Sequence, residues 1–178
     1  MKKLILTLCV ALTFLACKAQ SVSTKSTGKQ ATYSVSRHEG KLSIIKNEKN
    51  RFYQVKQNFP PSALVNGFLD LSSVRYDNNK VIKICADILT FSRLKVLQSE
   101  KDLSINIYFN DQGQVLETLF LADLNTKLSA KELEEIELEI KDNIKATFTN
   151  NHLKGVTYID VTSFINFEEL LKIKQGNN

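Results

Sequence analysis

LSINIYFNDQGQVLETLFL, residues 103–121, is the stretch that decides the fold. Leu103, Ile105, Ile107 and Phe109 alternate with Ser104, Asn106 and Tyr108, the period of two that predicts a half-buried strand. Asn110-Asp111-Gln112-Gly113 predicts a turn in which Gly113 takes positive φ without steric cost. Val115–Leu121 then returns as the hairpin partner. Next, Ser129-Ala130-Lys131-Glu132 is a capping box, in which each side chain satisfies an orphan backbone N–H. Leu133, Ile136, Ile140, Ile144 and Phe148 recur at helical spacing, so a long amphipathic helix is expected, ended by Asn150-Asn151 and Gly155. A final strand follows, with Ile159, Val161, Ile165 and Phe167 on one face, and Glu168–Lys174 reads as a short terminal helix. The class is α+β: an antiparallel sheet with a long amphipathic helix packed on one face.

Working outward toward the N-terminus, Asp77-Asn78-Asn79 supplies N-cap chemistry. After it Val81, Ile84, Cys85, Ile88 and Phe91 predict a helix over about 80–91, with Leu94, Val96 and Leu97 extending it. Ser62–Tyr76 fits a short helix, a strand or both. Pro60-Pro61 marks the join to an N-terminal β-meander over 31–59. Its strands are expected around Tyr33 and Val35, around Leu42, Ile44 and Ile45, and around Phe52, Tyr53 and Val55. Ser21–Gln30 is polar and without periodicity, and reads with Gln20 as a flexible tether over 20–30. The expected organisation is a leader over 1–19, the tether, and one α+β domain over 31–174 whose core is 62–174.

The leader carries Lys2 and Lys3 before an apolar run, Leu4–Ala16, too short to span a bilayer comfortably. This is the pattern of a secretory signal. Cys17-Lys18-Ala19 before Gln20 offers a simple cleavage site. Phe14-Leu15-Ala16-Cys17 is the alternative, a lipoprotein box that would place a lipid on Cys17. The mature protein is then expected to be periplasmic or secreted, or anchored by lipid at Cys17. Removing 1–19 takes away three lysines and no acid, lowering the basic count from 24 to 21 against 19 acids. A net charge of +2 in place of +5 is too small for a nucleic-acid footprint. Of the three cysteines, Cys9 and Cys17 belong to the leader region, so Cys85 is left unable to form an intramolecular disulfide.

Catalytic and metal signatures are sparse. His38 and His152 both fall in predicted loops, where solvent exposure is the expectation, and no HxxxH, HExxH or cysteine pair is present. Cys85 sits between Ile84 and Ile88 on an apolar stripe and reads as core. The acids Glu132, Glu134, Glu135, Glu137 and Glu139 read as the solvated side of the long helix. No cofactor or metal is expected. One pattern asks for a role. The sheet face opposite the helix is expected to carry Tyr108, Leu116, Phe120 and Phe164, apolar where an open sheet should be polar. Either the meander packs over them as a second layer, or they form a partner surface.

Ile105-Asn106-Ile107-Tyr108-Phe109-Asn110-Asp111-Gln112-Gly113-Gln114-Val115, the capped helix, and a strand ending Ser163-Phe164-Ile165-Asn166-Phe167 together resemble the C-terminal domain of TonB-type proteins. The resemblance covers 103–167 and implies a hairpin, a helix packed on the sheet and a final strand. It does not extend to energy transduction, because Ala146-Thr147-Phe148-Thr149-Asn150 lacks the family's proline and no Pro-rich spacer precedes the domain. The chain as a whole is similar to small exported proteins of Gram-negative bacteria. The expected role is an exported, non-enzymatic module that meets a protein partner in the envelope through a sheet edge or the aromatic face. A small extracytoplasmic hydrolase and a secreted inhibitor are the alternatives.

Overall fold

The computed structural model describes residues 24–38, 41–52, 55–100 and 102–176. The expected leader over 1–19, with Cys9 and Cys17, lies outside the described residues. Ten strands and four α-helices follow in chain order among those residues. The strands are β1 (Thr24–Thr27), β2 (Thr32–His38), β3 (Leu42–Asn47), β4 (Leu64–Val65), β5 (Phe68–Leu69), β6 (Val74–Tyr76), β7 (Leu103–Phe109), β8 (Val115–Asp123), β9 (Ala146–Phe148) and β10 (Ile159–Ile165). The helices are α1 (Asn78–Ile88), α2 (Phe91–Leu97), α3 (Ala130–Asn143) and α4 (Phe167–Gly176).

Six strands form one antiparallel sheet in the order β1-β2-β3-β8-β7-β10. The central hairpin closes as its sequence predicts. Gly113 has φ +78°, and a Cβ there would overlap the carbonyl oxygen of Ala146, so both backbone conformation and space require glycine. The capping box is complete: Ser129 accepts from the Glu132 N–H, and Glu132 accepts from the Ser129 N–H. Leu133, Ile136 and Ile140 of α3 are buried in one cluster with Ile105, Ile107, Phe109 and Phe120 of the sheet. The helices α1 and α4 complete the layer on that same face.

Several expectations are corrected. The helix is shorter than expected: α3 ends at Asn143, and Ile144 is already extended at φ −100°, ψ 135°. Ile144, Ala146 and Phe148 share a face at strand spacing as readily as Ile144 and Phe148 do at helical spacing. Tertiary pairing decides between them, because β9 pairs with β6 and the Ala146 N–H donates to Gly113 O at 2.8 Å. The predicted tether is not a tether over its described part. Thr24–Thr27 is the edge strand β1, and the Lys29 and Gln30 N–H groups donate to the Glu134 carboxylate at 2.5 and 2.7 Å.

The N-terminal strands are not a second layer. β3 pairs with β8, so β1–β3 widen the same sheet edge to edge. The third meander strand is absent from its described residues, where Val55 N–H donates to Phe52 O at 3.0 Å. The helix expected over 80–91 is two helices. α1 is capped by Asp77, which accepts from Lys80 N–H, and α2 by Thr90, which accepts from Arg93 N–H. Leu89, fully buried, sits at the break. Phe167 begins α4 and does not continue the last strand.

Candidate interaction surface

The four residues expected to share the outer face do not come together. β7 and β8 pair Ile105 with Phe120, which puts Phe120 on the helix-covered side, fully buried. Tyr108 does face outward, yet Tyr158 covers it edge-to-face at 5.3 Å, and Phe52 meets Tyr158 at 5.7 Å. Leu116 lies at an irregularity in the β7–β8 pairing and is half-buried. Phe164 alone stands out, 66% exposed, across from Ser104, which pairs in turn with Leu121. A regular hairpin from Phe109 and Val115 would set Tyr108 opposite Leu116 and turn Phe120 outward; the extra residue at Leu116 pairs Tyr108 with Glu117 instead and reverses every side chain after it.

The most exposed large apolar side chain among the described residues, Phe68, lies elsewhere, on the β4–β5 hairpin. Leu64 pairs with Leu69 and Val65 with Phe68, leaving Asn66-Gly67 as a two-residue loop with both φ positive, 51° and 82°. That is the turn Asn-Gly favours, and flanked by Leu-Val and Phe-Leu it was a sequence signal for a hairpin. Val65 is 54% exposed and Phe68 78%. Phe59 and Leu71, at the two ends of the same segment, are also exposed.

The base of this hairpin is fixed. Ala63 is fully buried, and Asp70 N–H donates to Ala63 O at 2.8 Å. Ser62 Oγ donates to the His152 carbonyl at 3.3 Å, while His152 Nε2 lies 2.8 Å from Asp70 O and 3.4 Å from its Oδ2. His152 is therefore half-buried, not the exposed loop residue expected, and it bolts both feet of the hairpin. The Ser72 hydroxyl and N–H hold the Asp70 carboxyl below the usual carboxylate range, and the nearby His152 adds to this.

This arrangement has little to offer a nucleophile. Both His152 ring nitrogens face oxygens, Nδ1 that of Asn150 and Nε2 that of Asp70, where a general base needs one nitrogen turned to the group it deprotonates. Cys85 is buried and burial pushes its thiol up to about 12, leaving it protonated and inert. Among the described residues no three His, Cys, Asp or Glu side chains gather as metal ligands, and no helix is long and apolar enough to cross a membrane.

The acidic face of α3 also departs from expectation. Glu134 and Glu137 are buried. Glu134 receives the β1–β2 loop as described, and Glu137 accepts from the Tyr33 hydroxyl at 2.5 Å and Lys141 Nζ at 2.7 Å. These acids clamp the N-terminal strands to α3.

No family model matches this sequence, and no curated protein does. Among solved structures, a DUF5043 family protein from Bacteroides uniformis ATCC 8492 is similar, with a TM-score of 0.67 at 18% identity, covering 81% of this chain and 85% of its own. At that identity the likeness is one of fold.

Proposed function

We propose that this chain is an exported, non-enzymatic module of the cell envelope that binds a protein partner through the β4–β5 hairpin. The observation that carries the reading is Phe68, an aromatic ring 78% exposed at the tip of a stiff turn whose two feet are pinned. A large apolar side chain held out by a preorganised element costs solvation in the free protein and loses little entropy on docking. Aromatic anchors of this kind supply most of the energy of an interface. The export signal read from Lys2 to Ala19 gives the compartment. A secreted inhibitor would use the same element, its partner being an enzyme.

The test places a photocrosslinking residue at Asn66 in the full-length chain within intact cells, identifies the adduct, and measures its affinity for purified protein. The F68S variant is expected to keep the parent melting temperature and to weaken that affinity by at least about tenfold, on the order of 1.4 kcal/mol. Unchanged affinity in F68S, or a melting temperature several degrees lower, would overturn the reading.

A further inference from the structure

A second surface, independent of the hairpin's role, lies between the β7–β8 turn, β9 and the loop that follows it. It is a depression of about 530 Å³, within the range of small-ligand sites. Buried Ala146 and Leu153 and half-buried Phe148 are its apolar lining. Gln112, Asn151, Thr147, Asp111 and Lys154 also line it, bringing two carboxamides, a hydroxyl, a carboxylate and an ammonium to its border.

We propose that this depression binds a neutral oligosaccharide. Each carboxamide presents a donor and an acceptor in one plane, and the hydroxyl does both jobs at a point. Such a rim matches a ligand whose surface alternates donors with acceptors. The apolar lining matches the C–H faces of sugar rings, which an aliphatic chain would also satisfy, but an aliphatic chain would offer nothing to the Thr147 hydroxyl, the Asn151 carboxamide and the Lys154 ammonium. One anion and one cation leave the rim with no net charge, and Asp111 opposes a phosphate. An extended peptide finds no free strand edge: β9 is paired with β6 on one side, and on the other Ala146 N–H is held by Gly113 O.

The site is built to hold a sugar, not to cleave one. Glycoside hydrolysis by the usual route needs two carboxyl groups flanking the bond, and Asp111 is the single carboxylate among the described residues that line the depression. It already accepts from Gly155 N–H at 3.1 Å and from the Gln112 carboxamide.

The experiment titrates the ¹⁵N-labelled chain with chitotriose and, separately, cellotriose, each to millimolar concentration. Shifts are expected at the amides of Gln112, Thr147, Asn151 and Lys154, with those of the β4–β5 hairpin unmoved. Shifts with both sugars assign recognition of ring hydroxyls, and shifts with chitotriose alone assign recognition of the acetamido group. Thr147 and Asn151 are exposed, so T147V and N151A are expected to leave the melting temperature unchanged and to weaken binding about two- to tenfold for each lost hydrogen bond. No shift at those amides with either sugar, or binding undiminished in the T147V/N151A double variant, would overturn the assignment.

Discussion

Phe120 and Phe164 carry the same ring to opposite environments. Phe120 has no exposed surface and meets Tyr33 edge-to-face at 6.4 Å, inside the cluster that joins sheet to helices. Truncating it removes buried apolar surface and leaves a cavity that close-packed neighbours fill only in part. F120A should therefore lose about 3–5 kcal/mol in urea unfolding. F164A, cutting back a ring already 66% exposed, should stay within about 0.5 kcal/mol of the parent. Equally small losses in the two variants would mean that the β7–β8 register is off by one residue, since that slip turns Phe120 to the open face that Phe164 occupies.

At the scale of elements, the parts legible in the sequence were those settled by neighbours in the chain. The hairpin around Gly113, the capping box at Ser129 and the Asp77 cap each depend on residues within a few positions of one another. The parts misread depend on distant partners. Nothing near Glu134 or Glu137 in sequence reveals that the β1–β2 loop and Tyr33, more than 100 residues upstream, come to cover them. Nothing near Ile144 reveals that β6 waits to pair with β9. The Asn66-Gly67 hairpin is different: its signal was local, and the apolar residues on both sides, equally at home in a short helix, obscured it.

The buried acids make the edge strand a structural part. A chain beginning at Ala31 would lose β1 together with the Lys29 and Gln30 N–H groups, leaving the buried Glu134 carboxylate without either donor. Stranding a buried charged acceptor in this way costs about 1–3 kcal/mol or more. The truncated chain is expected to unfold at correspondingly lower urea, and E134A in the truncated background should cost less than E134A in the parent. Full stability after truncation would return 24–30 to the status of a tether.

Across the whole molecule, the charged groups that join its two halves set its limits in pH. Lys141 of α3 lies 2.8 Å from Glu117 of β8 and 2.7 Å from Glu137, which holds Tyr33 of β2. Burial alone would pull the Lys141 ammonium down, but the two carboxylates outweigh it and hold its pKa above the ordinary lysine range. Burial, and then the bond to Glu137, push the Tyr33 phenol far up. Both groups bind their protons more tightly folded than unfolded. Their stabilisation is complete below about pH 10 and drains away as pH climbs toward the folded values. Glu132 works in the opposite sense. Burial would raise its pKa, yet bonds from Arg93 and Ser129 more than compensate, so its contribution is present above about pH 4.3 and fades as pH falls through the lowered folded value. Urea midpoints should form a plateau through neutral pH and drop on both sides. Along the alkaline limb, tyrosinate absorbance should show at least one tyrosine that ionises only as the chain unfolds, and Y33F should remove that component. A midpoint that holds steady beyond pH 11, with every tyrosine titrating in the folded state, would mean that Tyr33 and Lys141 are open to water and that α3 does not seal the N-terminal strands.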